Sequence, residues 1–508
     1  MTWLWALLLM TGVSSLLFGV TFILDTLGHT QVSLLSILFQ RDHISAMDGM
    51  PEVITGVLGI TITVVAIIVE LSANRYTPRV TDLFVKAPTN LIVLGFFVVT
   101  AVLCVWFSIT SGAGLYVPRV GRVVTLIAIS LCLLALLPYF VFVFTFLNPH
   151  NIVAHMGASA LNAIKRGRSE GLARAKRSSI IGIEQLTDVA LNAIEHKDKG
   201  ISMHAVDTLG QLVHDYFSIK GEMPEGWFRM DEVITENPDF VSMQKSVLSE
   251  IEARAYWLEM KVFRQYQMLY GETLNRMRDI NYLIAINTRK LAEVSIRNGA
   301  KQTTGLALKF MNTYLRATIN GRDVRTAYNV LNQYRLLAEF ALHNGAFDLV
   351  LDIAKWFKYY GQLGFSSGIP FVLETCAYDL CALNELAFEI DAPCRKALLD
   401  VFLEVDKEAE EGHALEASLR GVRKAQIKLA AYYLARGEDA SARAIFEDMK
   451  NEVSSRLLSI RQELESIDSP DFWEISDRGG NFDYMTSVEK ATLTTFFGWF
   501  NRSSEDSR

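Results

Sequence analysis

From Val53 to Val69 the chain carries no charged side chain, and with Glu70 to Ala73 the run reaches 21 residues. At a helical rise of ~1.5 Å per residue such a run spans ~30 Å, about one hydrocarbon core. Pro51 suits the first helical turn, where its missing N–H costs nothing, and Glu52 suits the positive end of the helix. Thr55, Gly59, Thr63, Ala66 and Glu70 follow steps of four, four, three and four, so they share one helix face. That stripe is small and polar and ends in an acid, while Val53, Val57, Ile60, Val64 and Ile68 cover the rest. Lipid has no use for such a face. Either another helix packs there, through Gly56, Gly59 and the threonines, or water does.

Three other apolar runs accompany it. Trp3 to Leu24 is uncharged and lacks the basic start and small-residue cleavage site of a signal peptide, so it reads as a retained transmembrane helix. Leu91 to Thr110 is the third span, with Trp106 as interface anchor, and Val123 to Leu147 is the fourth, where Pro138 should kink the helix. Val32 to Phe39 is too short to cross and reads as an interfacial or re-entrant segment. The spans are thus expected at about 3–24, 53–73, 91–110 and 123–147.

Basic residues orient them. The loop between the second and third spans holds Arg75, Arg79 and Lys86, whereas the first loop holds Arg41. After the fourth span come Lys165, Arg166, Arg168, Arg174, Lys176 and Arg177. The positive-inside rule then places both termini in the cytoplasm, with Arg119 and Arg122 a mild violation. The cluster at 165–177 is a candidate contact for anionic lipid, at ~1 kcal/mol per residue near such a surface, or it merely fixes topology. Glu70 lies near the hydrocarbon edge and needs pairing or water, for which Arg75 and Arg79 are the candidate partners.

The stretches ELSANRYTPRVTDLF and NLIVLGFFVVTAVLCVW resemble a hallmark of the bacterial membrane-protein family catalogued as domain of unknown function 2254. Ser179 to Leu212 (SIIGIEQLTDVALNAIEHKDKGISMHAVDTLGQL) is similar to that family's cytosolic signature, except that His196, Lys197 and Asp198 stand where Asn-Asp-Pro is usual. The resemblance covers roughly the first 215 residues. It implies a bacterial inner-membrane architecture and attaches no activity.

Charge separates the two ends of the chain. Residues 1–148 hold six basic and six acidic residues, so the net charge of −7 lies entirely beyond them. Residues 178–508 carry 37 basic and 49 acidic residues, which argues against a nucleic-acid partner. That region is helical in pattern, with Glu222 to Phe240 as its clearest irregular connection. LAEVSIRNGA begins at Leu291, LAEFALHNGA at Leu337, LNELAFEIDA at Leu383 and LAAYYLARGE at Leu429, each 46 residues after the last. Such a period marks an α-solenoid of stacked helix pairs with a concave groove. Leu429, Ala430, Tyr433, Gly437, Ala442 and Phe446 follow tetratricopeptide-like spacing, though that family's period is ~34.

Chemistry motifs are scarce: no phosphate loop, nucleotide-binding glycine fingerprint or His-Glu-x-x-His occurs. His204, Asp207, His214 and Asp215 have a spacing that permits metal ligation, but an ordinary polar helix face explains them better; His29, Asp25, His43 and Asp48 rate no higher. The five cysteines lack pairing logic and read as reduced thiols. Pro470 to Met485 (PDFWEISDRGGNFDYM) either grips a neighbour or peptide through Trp473 and Tyr484 or forms the polar cap of a terminal repeat.

The expected fold is therefore all-α: a four-helix transmembrane domain (1–148), a basic and helical juxtamembrane region (149–240), and a cytosolic tetratricopeptide-like α-solenoid (241–508). The expected function is a non-enzymatic, homo-oligomeric inner-membrane protein presenting a repeat platform to a cytosolic protein or peptide. It needs no cofactor, metal or nucleic acid, and membrane lipids are its other partners. The alternative is a homo-oligomeric ion channel lined by the second span.

Overall fold

The computed structural model describes residues 12–21, 23–24, 49–75, 79–112, 119–169, 171–406, 419–472 and 478–506. Among them the chain is helical, with no strand beyond an isolated antiparallel bridge between Asp471 and Gly480. It divides into two compact units, Met1–His155 and Met156–Arg508.

Among the described residues of the first unit, three helices are long and apolar enough to cross a membrane: Pro51–Ala73, Pro88–Thr110 and Val120–Phe146. They lie in α2 (Met50–Arg75), α4 (Pro88–Gly112) and α5 (Arg119–Phe146). The described part of the expected first span is a shorter apolar helix, α1 (Gly12–Thr21). Between α2 and α4, where a loop was expected, the chain makes a further helix, α3 (Arg79–Lys86). Its Phe84 is buried and packs edge-on to Phe146, with ring centroids 5.6 Å apart. The core of this unit is built by Ile54, Phe97, Cys104, Ile129 and Cys132, one face each of α2, α4 and α5. Phe18 of α1 packs beside Trp106 and Phe107, at 5.5 and 4.9 Å. A polar contact inside this apolar unit was not anticipated: the Tyr139 hydroxyl donates to Asn90 Oδ1 at 2.6 Å. Both groups are buried, so each satisfies a desolvated partner that would otherwise cost free energy.

The second unit, with α6 (Pro149–Arg166) leading into it, continues through α7 (Leu172–Glu195), α8 (Lys199–Ile219), α9 (Lys245–Ala253) and α10 (Trp257–Thr273). The irregular stretch after α8 is packed rather than loose. Its short helices Glu225–Phe228 and Glu232–Thr235 bury Trp227 and Ile234, and Phe240 follows. Helices then come in pairs: α11 (Arg278–Arg297) with α12 (Lys301–Asn320), α13 (Val324–His343) with α14 (Phe347–Ser366), α15 (Pro370–Glu389) with α16 (Arg395–Leu403), and α17 (Arg420–Ala435) with α18 (Asp439–Met449). Two more, α19 (Ser454–Ser466) and α20 (Ser487–Asp506), follow.

Local backbone chemistry repeats along these pairs. The first helix of each ends before Gly299, Gly345, Asp391 and Gly437, whose φ angles of 67°, 71°, 51° and 76° are left-handed. The next residue closes the helix by donating to a carbonyl five positions back: Ala300 to Ser295, Ala346 to Ala341, Ala392 to Ala387 and Glu438 to Tyr433, at 2.8–2.9 Å. This is the six-to-one closure that satisfies orphan carbonyls at a helix end. Leu291, Leu337, Leu383 and Leu429 are buried within the first helices. First helices pack side by side in the order α8, α11, α13, α15, α17, and α12, α14, α16 and α18 form a second row behind them.

All five cysteines are free and buried. Burial pushes the Cys376 and Cys381 thiols well above the usual range, which keeps them protonated and unreactive.

Candidate functional site

The row of first helices puts polar residues of successive repeats next to one another. Asn287, Gln333 and Asp379 occupy equivalent positions on α11, α13 and α15, as do Glu293, Glu339 and Glu385. Arg289 Nε donates to Gln333 Oε1 at 2.7 Å, crossing from α11 to α13, and Arg335 Nε lies 3.5 Å from Asp379 Oδ1, crossing from α13 to α15. A polar ladder therefore joins neighbouring helices along this face.

Two of the cavities on the row are lined by its polar side chains. One, of about 380 Å³, lies between α8 and α11 and is lined by His204, Asp207, Gln211, His214, Asn287 and Lys290. Its acid is committed: Asn287 Nδ2 donates to Asp207 Oδ1 at 3.0 Å. The histidines and acids of α8 form no metal-binding group, and none occurs among the described residues.

The other cavity, about 160 Å³, lies among α13, α15 and α17 and has a lid of the chain's own making. Residues 478–483 fold back across these helices. The Arg478 side chain is 2% exposed and pairs with that of Asp379, itself 1% exposed. Its Nη2 donates to the Tyr328 carbonyl at 2.9 Å, and its guanidinium lies 4.2 Å from the Tyr328 ring centroid. Phe482 stacks on Tyr378, with centroids 4.9 Å apart and planes 13° from parallel. Asp483 accepts from the Tyr378 hydroxyl and, at 2.9 Å, from Lys424 Nζ, while Lys428 Nζ donates to the Phe482 carbonyl at 3.1 Å. Burial pushes the Asp379 carboxyl above its ordinary value, with Arg478 and Arg335 pulling the other way. Burial likewise raises Glu374 and Glu385 on the same helix, and the charge of Asp483 adds to the effect on Glu374.

Of the two side chains that the sequence singles out in this segment, one is described. Trp473 lies outside the described residues, and Tyr484 is half-buried beside the segment's turn, its N–H donating to Asn481 O at 3.1 Å. Arg478, Phe482 and Asp483 make the contacts. A signal was there: an arginine directly before Gly479-Gly480, and an acid at 379 where the preceding repeats carry amides.

The basic cluster is split by the fold. Lys165, Arg166, Arg168, Arg174 and Arg177 are exposed, and Arg168 pairs with Glu222. Lys176 must be removed from the lipid-contact set. It is fully buried, and its ammonium donates to Asp231 Oδ2 and the Arg229 carbonyl, both at 2.7 Å. The Glu222–Phe240 stretch packs over α7 and brings those acceptors to it.

On α2, Thr55, Gly59, Thr63, Ala66 and Glu70 are all exposed, whereas Ile54, Thr61, Val65 and Val69 on the opposite face are buried. Nothing lies within 4 Å of a side chain built at Gly56 or Gly59. The Thr63 hydroxyl donates back to the Gly59 carbonyl at 2.8 Å. Within this chain the stripe packs against no described helix. The side chains of Arg75 and Arg79, the candidate partners of Glu70, lie outside the described residues, as do residues 25–48 with Val32–Phe39, Asp25, His29, His43 and Asp48.

No curated protein matches the chain. One solved structure, titled "Circular tandem repeat protein with novel repeat topology and enhanced subunit contact surfaces", is similar over 89% of this chain and 98% of its own, at 14% identity and a TM-score of 0.30. A likeness that distant carries no argument. The sequence itself is more informative: residues 2–181 match the family model described as "Predicted membrane protein (DUF2254)", and this part of the chain, with its apolar helices, is similar to that family of membrane proteins.

Proposed function

We propose that this is a non-enzymatic, multi-pass membrane protein that presents a platform of stacked helix pairs for binding other protein chains, and that it self-associates. The observation that carries this reading is the row of first helices, whose polar side chains recur in register and whose face opens into two cavities lined by both charges. Recurrent, mixed-charge faces of this kind suit extended protein surfaces, because each repeat adds a similar patch. The helix starts at Arg278, Val324 and Pro370 support a 46-residue solenoid repeat. We take α1 as part of a fourth span, both termini as cytoplasmic, the membrane as a bacterial inner membrane, and Lys165, Arg166, Arg168, Arg174 and Arg177 as lipid contacts. The outward stripe of α2 supports self-association, since a small-residue face without an intrachain partner among the described residues suits another copy of itself.

Light scattering in mild detergent tests the self-association. The protein part of the particle should weigh a whole-number multiple of 57.0 kDa, and a monodisperse monomer counts against it. Reversing charge on the platform with Lys290→Glu should release bound protein, whereas Lys309→Glu on the second row should not.

The exposure of the stripe favours one second reading, a homo-oligomeric channel lined by α2. Repeated about an axis, Thr55, Thr63 and Glu70 would form rings of hydroxyls and carboxylates, and carboxylate rings attract cations. In planar bilayers this reading requires currents whose selectivity shifts in Glu70→Gln and whose conductance falls in Thr63→Ile. Silent bilayers would eliminate it.

A further inference from the structure

The segment 478–483 is held the way a recognition groove holds a peptide. Beyond the isolated bridge of Gly480 to Asp471 it contributes no regular structure to the second unit, yet it reaches from α17 back to the Tyr328 carbonyl on α13, 150 positions earlier in the chain. Its side chains enter three separate receptors. The Arg478 guanidinium enters a slot with an aromatic wall, Tyr328, and an acidic floor, Asp379. Phe482 lies flat on Tyr378. The Asp483 carboxylate meets Lys424 and the Tyr378 hydroxyl. Asp379 supplies a further hint of capacity: its Oδ2 is buried with no hydrogen-bond donor, so the slot can accept a second N–H from a guanidinium fork.

Each receptor is generic to the chemistry it binds: a cation against an aromatic ring and a carboxylate, a ring on a ring, an acid against an ammonium. None of them requires that the occupant belong to the same chain. We propose that the face of α13, α15 and α17 is a binding site for an extended segment of a partner protein that carries an arginine and, four residues later, an aromatic–acid pair. Residues 478–483 are its resident occupant and keep the site closed until the partner displaces them. The partner and the resident segment bind exclusively of each other. Tethering sets the threshold: a segment held by a short connection has an effective concentration on the order of millimolar, so a free competitor at micromolar concentration exchanges poorly.

This inference rests on the reading of the row as a protein-binding face, and names the partner chemistry at one end of it. The two fail separately. Contacts made by other chains at Gln211 and Lys290, at the uncovered end, do not depend on what residues 478–483 do.

The test is a trans-binding assay on the full-length protein in detergent, with a fluorescein-labelled peptide copying Arg478–Met485, read by anisotropy. Wild type should bind it weakly. Arg478→Ala/Phe482→Ala should bind it at least about tenfold more tightly, because the resident loses two of its three anchors. Adding Asp379→Asn to that variant should remove the gain, and a peptide with alanine in place of its arginine should bind no variant. Phe482→Ala alone, which leaves the buried ion pair intact, should give an intermediate gain and decides the matter if the double variant does not fold. Equal, weak binding of the peptide to wild type and Phe482→Ala would overturn the proposal. So would binding to the opened site that is indifferent to Asp379→Asn or to loss of the peptide's arginine.

Discussion

Charged side chains buried in the second unit are its most sensitive single residues. Arg423 is 6% exposed and donates to Asp406 Oδ2 at 2.5 Å and Glu452 Oε2 at 2.6 Å, tying α17 to the end of α16 and the start of α19. Arg423→Ala should therefore cost about 3–5 kcal/mol in chemical denaturation, because it leaves the buried Asp406 carboxylate without this cation, while Glu452 keeps Arg456 at 2.7 Å. Glu463 on α19 behaves differently because it is partly exposed. Partial burial raises its carboxyl, but hydrogen bonds from Lys424 and Arg420 outweigh this and hold it below the usual 4.5. Since the folded value is the lower one, this pairing stabilises the protein above the unfolded value and is lost as pH falls through the folded one. The melting-temperature gap between wild type and Glu463→Gln should be open above pH 4.5 and close on acidification. Such partnerships are poorly legible in a sequence. Lys176 looked like one more basic residue in a lipid-facing cluster, and nothing near it announces an acceptor 55 positions away. Arg478 and Asp379 are 99 positions apart, and only the stacking of helices brings them together.

Helix pairs were legible where local chemistry and long-range packing demand the same residue. The leucines at 291, 337, 383 and 429 are core residues, and the glycines at 299, 345 and 437 sit where the backbone turns left-handed. One residue therefore reported both the helix end and the register of the repeat. Asp391 fills the equivalent turn with a side chain that tolerates this conformation. Gly345→Ala should cost about 1–2 kcal/mol from the left-handed geometry. Gly364 on α14 is a different case. A Cβ there would sit 2.6 Å from Val372 Cβ on α15, so Gly364→Ala should wedge the pair apart and cost about 1–3 kcal/mol. Gly305, mid-helix in α12 with nothing within 4 Å, should show the opposite sign. Gly305→Ala should stabilise by about 0.5–1 kcal/mol, read in the same denaturant titrations. What the pattern did not show was α3, where a short helix replaces the expected loop. Its eight residues, Arg79–Lys86, contain too few turns for a period to stand out.

At the scale of the whole molecule, the chain has a membrane unit whose α2 carries an exposed stripe of small residues and a repeat unit whose first helices carry a polar row. The apolar runs were plain in the sequence because the bilayer dictates both their length and composition. The polar row was not, since its residues are polar, partly buried and dispersed over five helices. Orientation is tested by cysteine labelling from outside: a probe at Lys86 or Arg168 should stay unlabelled, and one at Asp42, outside the described residues, should react. The central claim, that the row of first helices is where other protein chains bind, is tested most directly by photo-cross-linking in native membranes. A benzophenone side chain placed at Gln211 or Lys290 on the row, and at Lys309 on the second row, reports which face another chain touches. Discrete cross-linked species from Gln211 and Lys290, absent from Lys309, are the predicted result. Cross-links from Lys309 with none from the row would contradict it.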